Sequence, residues 1–103
     1  MADDQRTIRT ILVVDDEESY RDMMAMQLGR AGYEVTTAED GAAALRLLET
    51  TAFDLIFSDV IMPGMTGIEL LAELGKRGSV TPVIVMSAYG TIETAFDAIR
   101  SGA

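Results

Sequence analysis

At 103 residues the chain is the size of one domain, near the small end for a single hydrophobic core, and its 49% apolar and 24% charged content is that of a globular protein. Seventeen acidic against eight basic residues give a formal net charge of −9, and no basic cluster follows any helix, which argues against direct binding to nucleic acid or anionic lipid. The absence of Cys and His excludes disulfides, thiolate or imidazole zinc sites and any triad that needs either residue, leaving carboxylates, hydroxyls and backbone for chemistry.

Met1–Arg9 is polar and aperiodic and reads as a loose tail, with the folded unit running from residue 10 to 103. It has no apolar signal core, and no apolar run approaches the ~20 residues of a membrane span, so a soluble, cytoplasmic chain is expected. Thr10-Ile11-Leu12-Val13-Val14 is continuously apolar and β-branched, as in a strand covered on both faces, and it ends abruptly in Asp15-Asp16-Glu17-Glu18. From about Glu17 to Arg30, the residues Tyr20, Met23, Met24, Leu28 and Ala31 recur at helical spacing, and Gly32 closes the helix. The methionines of this helix, Met23, Met24 and Met26, are expected to serve core packing.

Tyr33–Ala38 alternates and is rich in β-formers, so it reads as a second strand. Asp40 is placed to cap a helix over Gly41–Thr50, with Ala44, Leu45 and Leu48 towards the sheet. Asp54-Leu55-Ile56-Phe57-Ser58-Asp59 forms a third strand that delivers one carboxylate, Asp59, before the turn Met62-Pro63-Gly64-Met65. Thr66-Gly67-Ile68-Glu69 has the capping-box pattern ahead of Ile68, Leu71 and Leu74, which fixes a helix start near Gly67. Gly75 and Gly78 break it, Thr81–Met86 makes a fourth strand, and Thr91 is placed to cap a last helix over Ile92–Ser101.

Four alternations of strand and helix with short connections predict right-handed crossovers and a doubly wound parallel sheet, class α/β. In such a sheet Asp15 and Asp16, Asp59 and Ser87 follow three parallel strands and meet at one edge, where open α/β sheets bind ligands. Crowded carboxylates are costly to ionise together without a cation, and with only oxygen ligands available that cation is hard, Mg2+ or Mn2+. Each residue taken singly is also an ordinary turn or cap residue, Asp15 or Asp16 for the first helix among them.

Three segments together, Ile11–Glu17, Asp54–Gly67 and Pro82–Gly90, resemble the signatures of the receiver domain of bacterial two-component response regulators. The run Ser87–Ala95 is most similar to receivers attached to sigma-54-dependent transcription activators. The resemblance covers about residues 8 to 103 and implies a flavodoxin-like sheet of order 2-1-3-4-5. It implies that a sensor histidine kinase phosphorylates Asp59, and that Asp15, Asp16, Asp59 and the Ile61 carbonyl hold Mg2+. It further implies that Ser87 hydrogen-bonds the phosphoryl oxygen and shifts on activation, passing the signal to an output domain or partner. The helix from Ile92 is the expected output face.

Receivers normally continue through a fifth strand and helix, and that strand ends in a lysine that contacts the phosphoryl group; here the chain stops at Ser101-Gly102-Ala103. Lys76 ends the third helix and is no substitute. A truncated receiver that dimerises by swapping or strand pairing through an uncovered fourth strand, or that is marginally stable, is therefore expected. Three other functions compete. A degenerate receiver would act only as a protein-interaction scaffold. A haloacid-dehalogenase-type enzyme wants a second Asp two residues after Asp59, where Ile61 stands. A flavin or nucleotide binder wants a Gly- or Ser/Thr-rich phosphate cradle after the first strand, where four acids stand.

Overall fold

The computed structural model of the chain describes residues 8–59, 64–79 and 81–86. Their elements run β1 (Thr10–Val14), α1 (Glu18–Arg30), β2 (Glu34–Ala38), α2 (Gly41–Leu48), β3 (Leu55–Asp59), α3 (Gly67–Lys76) and β4 (Val83–Met86). The expected tail before residue 8, Ile61, Met62, Pro63, Ser87 and the helix over Ile92–Ser101 lie outside the described residues.

The strands form one parallel sheet in the order β2-β1-β3-β4, matching the expected 2-1-3-4 portion of the flavodoxin-like order. β1 is central, with Ile11 beside Val35 on one flank and Leu55 on the other. Its residues alternate between two cores. Ile11 and Val13 pack with Leu55, Phe57 and the α1 residues Met24 and Leu28 on one face. Leu12 and Val14 pack with Ile56, Ala44 and Leu45 of α2, and Leu70 and Leu74 of α3 on the other. Both faces of the sheet are thus covered, which explains why β1 and β3 read as unbroken apolar runs. Each fully buried Leu, Ile or Met side chain contributes about 1.5–3 kcal/mol of transfer free energy.

Capping chemistry sets the helix ends. Asp40 Oδ1 accepts from the Ala43 N–H at 2.8 Å, and Thr66 with Glu69 completes the expected capping box, each side chain bonding the other's backbone N–H. α1 and α3 both end in Schellman motifs. Tyr33 N–H reaches Leu28 O at 3.1 Å, Ser79 N–H reaches Leu74 O at 3.0 Å, and Gly32 and Gly78 take the left-handed turn (φ 105° and 76°).

Several expectations need correction. Helix α1 begins at Glu18 with Glu17 as its cap residue, because Glu17 is extended (φ −93°, ψ 114°) while its carbonyl accepts the first helical bond, from the Arg21 N–H at 3.0 Å. Neither Asp15 nor Asp16 occupies the cap position. Helix α2 stops at Leu48, two residues before Thr50, and β2 and β4 begin one and two residues later than expected, at Glu34 and Val83. Met26 is 50% exposed, since only the Met24–Leu28 stripe of α1 faces the sheet, with Met23 half-buried beside it. Ala31 also faces solvent. On α3 the inward stripe is Gly67, Leu70 and Leu74, leaving Ile68 57% and Leu71 44% exposed.

Candidate functional site

β1 and β3 are neighbours in parallel register, Val14 beside Ser58, so the residues that follow them emerge side by side at the carboxyl edge of the sheet. Asp15 comes directly after β1 and Asp59 is the last residue of β3; both are buried, at 5% and 8% exposure, whereas Asp16 is exposed. One carboxylate oxygen from each of Asp15, Asp16 and Asp59 lies within 4.8 Å of the others. These are three of the residues that sequence reading grouped at one sheet edge. Of its other site residues, Ile61 and Ser87 lie outside the described residues.

Backbone and side-chain bonds hold the cluster in place. The Asp15 N–H continues the sheet by donating to Ala38 O at 3.1 Å, and its carboxylate accepts from the Glu17 N–H at 2.9 Å. Arg21 Nη1 donates to the Asp15 carbonyl at 2.8 Å, so this guanidinium is engaged by the backbone beside the acids. Burial pushes the Asp15 carboxyl above its ordinary value; the Glu17 N–H opposes that rise, while the charges of Asp59, Asp16 and Glu17 add to it. The phenol of half-buried Tyr20 is also pushed upward, first by burial and then by Asp15 and Asp59, which places it close to the same acids.

Several charges of one sign, two of them buried, form a site that is strained when fully ionised and relieved by a cation. Its donors are all oxygen, and the whole chain offers no imidazole or thiolate, so the cluster fits a hard divalent ion and not a zinc or copper centre.

Sequence reading did not single out two residues that meet the Asp59 backbone. Ser58, 1% exposed, donates its hydroxyl to the Asp59 carbonyl at 3.1 Å. Gly67 lies so near that a Cβ there would clash with the same oxygen. The one available signal was a hydroxyl at position 58 in an otherwise apolar strand.

A parallel doubly wound sheet of order β2-β1-β3-β4 with an acid cluster at its carboxyl edge is a flavodoxin-like domain whose candidate site lies where such sheets bind ligands. The sequence profile of the response regulator receiver domain matches residues 11–103, and the chain belongs to that family. It is 41% identical over 96 residues to the regulatory protein AtoC of Escherichia coli K12, covering 93% of this chain and 21% of that protein. It is 39% identical over 93 residues to the DNA-binding transcriptional regulator NtrC of the same strain, covering 90% of this chain and 20% of the relative. The expected likeness to receivers of sigma-54-dependent activators stands on these relatives, of whose length the chain spans about a fifth.

Among solved structures, the Francisella response regulator 1452 receiver domain superposes with a TM-score of 0.75 at 35% identity, covering 92% of this chain and 78% of that one. FixJ-N superposes at 0.74 with 32% identity, covering 95% and 78% respectively. The family is generally one of non-enzymatic signalling domains. No helix among the described residues is long and apolar enough to cross a membrane.

Proposed function

We propose that the chain is a phosphorylation-dependent signalling switch in which Asp59 accepts a phosphoryl group from a sensor histidine kinase. The observation that carries this reading is the meeting of Asp15, Asp16 and Asp59 oxygens within 4.8 Å at the sheet edge. An Asp59 carboxylate oxygen attacks phosphorus in line, the bond from phosphorus to the donor's imidazole nitrogen breaks, and its electron pair stays on that nitrogen, which takes up a proton. The product is an aspartyl phosphate. Asp15, Asp16, Asp59 and the Ile61 carbonyl are assigned as the ligands of Mg2+, or Mn2+. When bound, the ion supplies charge neutralisation between the carboxylate and the anionic donor.

The protein's own share is positioning. Arg21 and the Glu17 N–H hold the Asp15 main chain and carboxylate, and the β1–β3 pairing fixes how far Asp15 stands from Asp59. Ser87 is assigned to hydrogen-bond the incoming phosphoryl oxygens, and its movement rearranges the segment that follows it, which is read by an output domain or partner. The chain acts as a phosphoacceptor rather than as a turnover enzyme. Its net charge of −9 leaves any contact with DNA to a separate output domain, in the cytoplasm.

The test is incubation with a small acyl-phosphate donor and Mg2+, followed by intact-mass measurement. The wild type is expected to gain the mass of one phosphoryl group and Asp59→Asn none. An unmodified wild type under conditions that modify another receiver domain would overturn the assignment and leave the chain as an interaction scaffold.

A further inference from the structure

We propose that Ser58 is a positioning residue for Asp59, its hydroxyl and the bare Cα of Gly67 together fixing the peptide that follows the phosphoacceptor. This deepens the function proposed above and rests on that reading.

β3 alternates between the two cores, and Ser58 falls on the face shared with Ile56, the side covered by α2 and α3. An apolar side chain would be the ordinary occupant there. A hydroxyl at 1% exposure is costly unless bonded, and this one donates to the Asp59 carbonyl at 3.1 Å. A serine that merely satisfies itself on the nearest carbonyl would explain that bond alone. It would not explain why the first residue of α3 comes up against the same oxygen. A Cβ at residue 67 would clash with Asp59 O and stand 3.1 Å from both Asp59 C and Ser58 Oγ.

The carbonyl, the hydroxyl and the first residue of α3 therefore occupy one tight pocket of backbone. On one flank of β3 Val14 pairs with Ser58, and on the other Asp59, the last residue of the strand, pairs with Met86 of β4. The Ser58 hydroxyl acts at that point. It restrains rotation of the Asp59 peptide, and with it the direction of the Asp59 side chain and of the chain leaving β3. Reactions between held groups are steep in geometry, a misplacement of about 1 Å costing up to ~100-fold, so a modest rotation is enough to slow phosphoryl acceptance.

The experiment compares wild type, Ser58→Ala, Ser58→Thr and Ser58→Cys in two measurements. The first is the rate of phosphoryl uptake from an acyl-phosphate donor at saturating Mg2+, followed by intact mass. The second is the 13C resonance of the Asp59 backbone carbonyl. Expected for Ser58→Ala is an upfield shift of that resonance and a fall of roughly three- to tenfold in the limiting rate, with the donor concentration at half-saturation unchanged. Ser58→Thr, which keeps the hydroxyl, restores both. Ser58→Cys, of similar size with a weak donor, behaves as the alanine variant and serves in its place should that variant fold poorly.

A Ser58→Ala or Ser58→Cys protein that is folded, phosphorylated at the wild-type rate and unshifted at the Asp59 carbonyl overturns the proposal. If the wild type takes up no phosphoryl group, the phosphoacceptor reading fails instead. The carbonyl resonance then still decides whether Ser58 holds the Asp59 peptide.

Discussion

Asp54 and Thr10 clasp each other across the starts of β3 and β1. Asp54 Oδ2 accepts from the Thr10 N–H at 3.0 Å and from its hydroxyl at 3.2 Å, while the Asp54 N–H donates to Thr10 Oγ1 at 3.0 Å and to Thr10 O at 3.0 Å. The Arg9 N–H adds a further bond to the same carboxylate at 2.9 Å. The clasp lies at the opposite end of the sheet from the acid cluster, so it bears on stability and not on chemistry.

Those N–H donors hold the Asp54 carboxyl below its ordinary value of 3.8. A lowered folded value means that the stabilisation is fully present above the unfolded value and is lost as the pH falls through the folded one. Replacing Asp54 by Ala is expected to cost about 1 kcal/mol at neutral pH, a modest figure because water can reach the orphaned donors. The gap in melting temperature between wild type and Asp54→Ala should hold steady well above pH 3.8 and close as the pH drops below it, as read by circular dichroism.

The crowded acids make the opposite kind of prediction. Without divalent ions, Asp59→Asn should melt higher than wild type, by up to about 1 kcal/mol, because one of three mutually repelling carboxylates is neutralised. Mg2+ at 100 times its dissociation constant should stabilise the wild type by about 2.7 kcal/mol. The same addition should leave Asp59→Asn little changed. Scanning calorimetry with and without Mg2+ reads both effects, and an equal Mg2+ response in the two proteins would remove Asp59 from the ion's ligand set.

At the start of α3, Thr66→Ala should destabilise by about 1 kcal/mol through loss of its bond to the Glu69 N–H at 3.1 Å. Glu69→Ala removes the reciprocal bond to the Thr66 N–H at 2.9 Å. Because the two bonds brace one another, the double variant should cost less than the two single losses added together. Urea melts of the four proteins provide the cycle.

Adjacent residues on the helices offer the sharpest contrast. Leu70→Ala and Met24→Ala empty fully buried positions and should each cost about 2–5 kcal/mol, whereas Leu71→Ala and Met26→Ala, both exposed, should change stability by roughly 0.5 kcal/mol or less. Equal losses at Leu70 and Leu71 would contradict the inward stripe of α3.

That contrast also shows where the sequence runs out. β1 and β3 were legible because a strand buried on both faces must be apolar throughout, and Asp15 and Asp59 stood out because each ends such a run. The phase of α3 was not legible. Ile68, Leu70, Leu71 and Leu74 are all apolar, so more than one inward stripe is compatible with helical spacing, and the true one runs through Gly67, which carries no side chain to reveal it. Met26 misled for the same reason, its burial depending on the angle at which α1 crosses the sheet. The approach of Gly67 to the Asp59 carbonyl joins residues made neighbours only by the return of the chain at the start of α3, and no local pattern encodes it.

The strand order has a consequence for how the molecule comes into being. β1 is the earliest strand among the described residues, yet Thr10 pairs with Glu34, and Ile11 pairs with Leu55, 44 residues later. At synthesis rates of about 5–20 residues per second, Ile11 emerges roughly 2–9 s before that partner. During this interval β1 has one completed side at best. A nascent chain paused before Leu55 therefore presents an unsatisfied β1 flank to any chaperone or neighbouring ribosome product, and ribosome-stalled chains ending before and after β3 should differ sharply in protease resistance.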